Sequence, residues 1–160
     1  MGHHIRITPI MLAVMLAGSV SPAFCADLQL SPGEVVTAFK AAGFKLKGKK
    51  WFACAEGSLG EIRDINGDGL PEAIITEGGT ECHGMTGEGY SLVSKQSNGT
   101  WKLMSGSTGI PIFLTSRGVD NWPDLQVGGP GFCFPVLRWN GKSYDLHHFE
   151  YEGRRCKPRA

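Results

Sequence analysis

The sequence has almost no charge imbalance: 16 Lys and Arg stand against 15 Asp and Glu in 160 residues, a formal net charge of +1. Nucleic-acid and other polyanion binders draw on a basic excess or a Lys/Arg stripe, so this class of partner is not expected. No apolar run reaches the roughly 20 residues that a membrane-spanning helix needs; the stretch from Ile10 to Ala17 is cut short by Gly18, Ser19, Ser21 and Pro22. No C-x-x-C pair occurs, and Cys82 beside His83 is the one close Cys/His pair, so the convergent spacing of a zinc site is missing. No Ser or Cys sits in a recognisable nucleophile motif, and past residue 25 the histidines are His83, His147 and His148. The last two are neighbours on an expected strand and so should point to opposite faces. Gly128-Gly129-Pro130-Gly131 precedes no expected helix, and its Pro removes a donor from any phosphate cradle. With 41% hydrophobic residues the chain is nevertheless too apolar to be disordered.

Residues 1–25 read as a secretory signal peptide: Arg6, the apolar run, then small residues. Ala23 and Cys25 suit cleavage after Cys25, whereas cleavage after Ala26 would leave the bulky Phe24 three residues upstream; Pro22 and Phe24 suit a lipid-attachment site poorly. Removing the leader takes Arg6 and Cys25 away and leaves 15 basic beside 15 acidic residues, with four cysteines. An even number of cysteines in an exported chain implies two disulfides and a secreted or periplasmic location. Of the three possible pairings, Cys54 with Cys82 and Cys133 with Cys156 each close one local segment, worth about 3 kcal/mol apiece on a loop-entropy estimate.

Residues 26–160 are expected to form a single β-rich domain. Ser31-Pro32-Gly33-Glu34 has an N-cap, a Pro at the first helical position and a Glu three residues after the cap, which predicts a short helix over about 32–42. Its apolar face is Val35, Val36, Phe39 and Ala42, and Gly43 is placed to end it. Eight or nine short strands follow, punctuated by glycine, as in a mainly antiparallel β protein. Lys45, Lys47, Lys49 and Lys50 read as a guarded sheet edge, and Arg154, Arg155, Lys157 and Arg159 as a frayed basic tail. The segment from Pro71 repeats in outline from Pro123: Pro-acid, strand, paired Gly, Cys, strand, Asn-Gly, aromatic, strand. This order predicts a degenerate two-unit β repeat, over about 50–104 and 110–151, with Asn98-Gly99 and Asn140-Gly141 as two-residue hairpin turns.

The most specific stretch is Asp64-Ile65-Asn66-Gly67-Asp68-Gly69-Leu70-Pro71-Glu72. Oxygen side chains recur at positions one, three, five and nine, with Gly at six, a spacing that can turn several oxygens toward one hard cation. The expected ligands for Ca2+ are Asp64, Asn66, Asp68, the carbonyl of Leu70, and Glu72. An EF-hand also needs a bidentate Glu at position twelve between helices, and Ile75 stands there in a β pattern. The arrangement D-x-N-x-D-G-x-x-E between strands resembles the calcium loop of the FG-GAP and VCBS repeat families, the blades of integrin-like propellers. The resemblance covers residues 60–104 well and 118–148 weakly, and Gly118 to Asp124 has lost the loop. It implies that the five loop residues hold calcium in a β setting. It does not imply a propeller, which needs at least four blades.

Acidic residues such as Glu61, Glu72, Glu77, Glu81 and Glu88 leave a paired-carboxylate glycan hydrolase open, since geometry decides that chemistry. Trp122, between Asn121 and Pro123, is expected to be exposed and free to contact a ligand. The sequence as a whole points to an exported, calcium-stabilised binding or structural module of the cell envelope, not an enzyme, whose partner is an envelope protein or glycan. An inhibitor or immunity-type protein acting on an envelope hydrolase is the alternative.

Overall fold

The computed structural model describes residues 1 and 28–158, so the leader, Cys25 and Arg159 lie outside the described residues. The chain is mainly β, with two antiparallel sheets, one short helix and two disulfides. Helix α1 spans Pro32–Ala41, and the strands follow as β1 Lys45–Lys47, β2 Lys50–Phe52, β3 Glu56–Arg63 and β4 Glu72–Gly78. A single helical turn, α2 at Thr80–His83, precedes β5 Glu88–Lys95, β6 Trp101–Thr108, β7 Ile110–Arg117 and β8 Pro123–Gly128. The chain continues through β9 Phe134–Trp139, β10 Tyr144–Tyr151 and β11 Arg154–Arg155. One sheet has the order β1-β2-β3-β4-β5-β6 and the other β11-β10-β9-β8-β7.

Among the described residues eleven strands form where eight or nine were expected, because the Lys-rich segment folds back on itself at Gly48 and Arg154–Arg155 pair with β10 instead of fraying. These two additions are the outer edges of the two sheets, and both are basic, which discourages pairing with another chain. The Ser31 capping box starts α1 as predicted, and Gly43, at φ +87°, follows its end. Glu34 closes that box and also accepts from Lys95 Nζ at 2.6 Å, tying α1 to β5. The Lys95 ammonium and the Ser31 hydroxyl and amide hold the Glu34 carboxyl down at about 2. The buried stripe of α1 is Val35, Ala38, Phe39 and Ala42, while Val36, expected in it, faces solvent.

The repeat is visible in space. β3–β6 and β7–β10 are two four-stranded meanders, and with Pro71 matched to Pro123, β4, β5 and β6 correspond in order to β8, β9 and β10, the connection before β9 being shorter than that before β5. In the first unit Ala73, Ile75, Val93 and Trp101 pack beneath α1. Their counterparts in the second, Leu125, Val127, Leu137 and Tyr144, pack against the opposite face of the first unit, formed by Ile74, Tyr90, Leu92 and Met104. The units therefore stack face to back, with α1 occupying the place of a preceding unit. This explains why Glu72, Ala73, Ile74 and Ile75 are consecutively buried: β4 is covered on both sides.

The Asn-Gly turns are not the pair of two-residue turns expected. Asn98 keeps a negative φ in a longer loop closed between Gln96 and Thr100, with Gly99 alone at positive φ. Asn140 closes a two-residue turn with Ser143, so Gly141, and not Asn140, is the first turn residue. Both disulfides join the expected partners, Cys54–Cys82 and Cys133–Cys156.

The outer face of the second unit carries Asp124, fully buried, whose two oxygens take Arg138 Nε at 2.8 Å and Nη2 at 2.6 Å, with Ser116 Oγ at 2.6 Å. Arg138 holds the Asp124 carboxyl below its ordinary value. Such a depressed acid adds stability that is complete above the unfolded value of 3.8 and is lost as pH falls through the folded one. Arg138→Met, which strands the buried carboxylate, is expected to cost about 2 kcal/mol in urea unfolding at pH 6. The gap to the parent protein should close below pH 3.8; a gap unchanged at low pH would mean that the pair contributes nothing.

Candidate metal centre

The loop from Asp64 to Pro71 joins β3 to β4 in the first unit, at the end of the strand stack. It is wound around its own acids. Asp64 Oδ1 accepts from the Gly67 and Asp68 amides at 2.7 and 3.1 Å, and Oδ2 from the Gly69 amide at 2.9 Å. Asn66 Oδ1 takes the Asp68 amide, and Asp68 Oδ1 the Leu70 amide. Gly67 and Gly69 both sit at φ +83°, where a Cβ is strained, which is why glycine stands at positions four and six.

Glu72, the first residue of β4, is fully buried. Its Oε2 accepts from the Ile65 amide at 2.7 Å and its Oε1 from Ser94 Oγ at 2.9 Å. No cationic side chain pairs with it among the described residues. Burial, reinforced by the negative charges of Asp68 and Asp64, pushes its pKa up to about 7 against the lowering effect of those two hydrogen bonds. Asp64 and Asp68 thus act electrostatically on the same buried carboxylate, and Asn66, 7% exposed, belongs to the same loop.

The donors are all oxygens, the set a hard cation prefers. Each carboxylate oxygen engaged by one N–H or O–H keeps a further lone pair. Among the described residues no group of three or more His, Cys, Asp and Glu side chains is gathered as a metal cluster. Asp64, Asp68 and Glu72 are thus not drawn together as a three-acid cluster: Asp64 and Asp68 turn to backbone amides of the loop, and Glu72 to the Ile65 amide and Ser94. Calcium, if bound there, would supply positive charge to Glu72 and its acidic neighbours.

The second unit shows what the first lacks. Asp124 occupies the position of Glu72 in the Pro-acid segment, and Arg138 that of Ser94, each lying on the next strand beside its acid. The second unit's acid is neutralised by a guanidinium from its own sheet, whereas the first unit's acid faces a hydroxyl. Neither Ser94 nor Arg138 was singled out from sequence, although the repeat alignment places them opposite each other. Also missed were Arg117 and Asn121, which lie before β8 and strap the two units together. Arg117 Nη1 donates to the carbonyls of Ile65 and Asn121, and Asn121 Nδ2 to that of Asn66.

Trp122 is not exposed. It is 4% accessible and packs against Trp139 and Tyr144, with ring centroids 5.9 and 6.2 Å away, because the Pro123 that follows starts β8 and carries it between the units. Glu72 and Glu77 are five residues apart on β4 and fall on opposite faces, so they do not form one acid pair. His147 and His148 do not lie on opposite faces as strict alternation requires. A bulge between Leu146 and His148 interrupts β10, and the rings meet edge to face at 5.0 Å.

His83 fills a seat made by glycine. Glu77, Gly89 and Thr108 are cross-strand neighbours, and the imidazole lies over Gly89 with Nδ1 3.0 Å from Thr108 Oγ1. Its Nε2 is 3.7 Å from Glu77, too far for a hydrogen bond, and is buried without a partner. A Cβ on Gly89 would run into the His83 ring. Gly89→Ala is therefore expected to destabilise the fold by about 1 to 3 kcal/mol. Adding His83→Ala should recover part of that loss, and a double variant as unstable as the sum of the singles in thermal unfolding would contradict the contact.

No helix of the described residues is long and apolar enough to cross a membrane. No family model matches the chain, and no curated protein or solved structure matches it either.

Proposed function

We propose that the protein is an exported, non-catalytic binding or structural module of the cell envelope, stabilised by calcium held at Asp64, Asn66, Asp68, the Leu70 carbonyl and Glu72. The observation that carries this reading is the uncompensated buried carboxylate. Glu72 is fully buried with no cation beside it, while Asp124, at the same place in the second unit, has Arg138. A divalent cation in the first loop would do for Glu72, Asp64 and Asp68 what the guanidinium does for Asp124. The oxygen spacing and the resemblance to FG-GAP and VCBS loops favour calcium over a softer ion. Two disulfides suit an oxidising compartment, and the leader-like residues 1–25 suit export.

The cation's role in this reading is to stabilise, since an ion bound only by the folded chain raises stability with its occupancy. At a calcium concentration about 100 times Kd the gain is about 2.7 kcal/mol. Isothermal titration of the purified protein should show saturable calcium binding, with a melting temperature several degrees higher in calcium than in chelator. Asp64→Ala with Asp68→Ala should abolish both responses. Absence of both in the parent protein removes the site.

A further inference from the structure

We infer that the free edge of β6 binds one extended peptide segment of a partner protein, which adds a strand to the first sheet and lays apolar side chains in the cleft beside it. The inference deepens the reading of the protein as a binding module and rests on it, and it requires no contact between peptide and cation. Among the described residues β6 ends its sheet, so alternate main-chain N–H and C=O groups point away from β5 with no strand to take them. A row of donors and acceptors at strand spacing is complemented by another extended backbone.

The other three sheet edges are guarded. β1 is short and carries Lys45 and Lys47, β11 is Arg154–Arg155, and β7 contains Pro111 and Arg117 and loses its register between Phe113 and Arg117. β6 has no proline, and its one charged residue, Lys102, lies before the bulge at Met104. Beyond that bulge Ser105 to Thr108 pair one to one with Leu92 to Gly89, in register and without charge.

A cleft of about 460 Å³ runs along this half of the strand. Every residue from Met104 to Thr108 lines it. Successive side chains of a strand point to opposite faces, so an unbroken run of lining residues means that the main chain itself forms the wall. Across the cleft stand Val127, Phe134, Pro135 and Leu137, with Gly128 and Gly129 leaving room for a backbone, and no charged side chain lines it. Tyr90 and Leu92, the cross-strand partners of Ser107 and Ser105, face the second unit. A strand added to β6 therefore turns every second side chain toward those apolar residues. A second copy of this chain, paired edge to edge, would offer its own Ser105 and Ser107, too small and too polar to fill that space. The occupant is thus an uncharged segment of another protein with apolar side chains at alternate positions.

The test uses a fluorescein-labelled peptide of alternating Val and Thr with flanking Gly and Ser, titrated into the purified protein by fluorescence anisotropy in calcium and in chelator. It should bind saturably, with Kd near or below about 100 μM, and slow amide hydrogen exchange at residues 105–108. The same peptide with Asp for Val should bind at least about tenfold more weakly. N-methylation of either the Val or the Thr amides, whichever set faces β6, should abolish binding, while methylation of the other set is tolerated. Ser107→Lys, at an exposed residue, should weaken binding about tenfold or more with unchanged melting temperature, and Phe134→Ala should weaken it from the opposite wall. Leu46→Ser on the distant β1 edge should leave it intact. No saturable binding, binding undiminished in both cleft variants, or equal tolerance of both methylated sets overturns the inference. Self-association of the unliganded protein that protects the same amides overturns it in favour of a second copy. Peptide binding without any calcium response would count against the cation reading alone, and a calcium response without peptide binding against the peptide site alone.

Discussion

The structure turns on one buried acid in each of its two units. A carboxylate taken out of water is costly unless hydrogen bonds and an opposite charge replace the lost hydration. Asp124 receives both, from Ser116 and a two-pronged Arg138. Glu72 receives only hydrogen bonds, and two acids of its own loop oppose its ionisation. Face-to-back stacking sharpens the difference: Glu72 is on the face that the second unit covers, whereas Asp124 is on the outermost face, where an arginine can lie across it with its head partly in water. The last unit of the stack thus carries its own counter-charge, and the interior unit does not.

That stacking also decides what the remaining parts do. Each unit needs cover on two faces, so α1 serves the first unit where a preceding sheet would lie, and its Glu34–Lys95 pair holds it in place. The Cys54–Cys82 bridge pins the β4–β5 excursion that brings His83 over Gly89, and Cys133–Cys156 ties the approach to β9 to the chain end beyond β11. At the loop end, Arg117 and Asn121 couple the turn of the second unit to the acidic loop of the first.

Much of the fold was legible in the sequence because its signals are local. The Ser31 capping box and the strand-and-glycine rhythm act over a few residues, and the even cysteine count and the Pro-acid repeat are read by counting and spacing alone. The unread parts depend on what lies across the stack. Trp122 looks like a loop residue, yet the neighbouring unit buries it. Val36 has helical spacing on the apolar side, but only one narrow stripe of α1 meets the sheet. The alternation that should separate His147 from His148 fails at a bulge. For the loop, the oxygen side chains and their spacing were readable, but the absence of a counter-charge for Glu72 among the described residues was not. It emerges only when Ser94 and Arg138 are seen beside their acids on equivalent strands of the two units.

The central claim is that the first unit's buried acid lacks a built-in counter-charge and that calcium supplies it. The most direct measurement is unfolding free energy against pH, from 4.5 to 8, in chelator and in saturating calcium. In chelator the folded Glu72, with its pKa raised from 4.5 to about 7, holds a proton that the unfolded chain releases, so stability should fall as pH rises through that window. In calcium the decline should vanish or reverse, because the ion favours the charged carboxylates. Identical pH profiles in the two conditions would contradict the account.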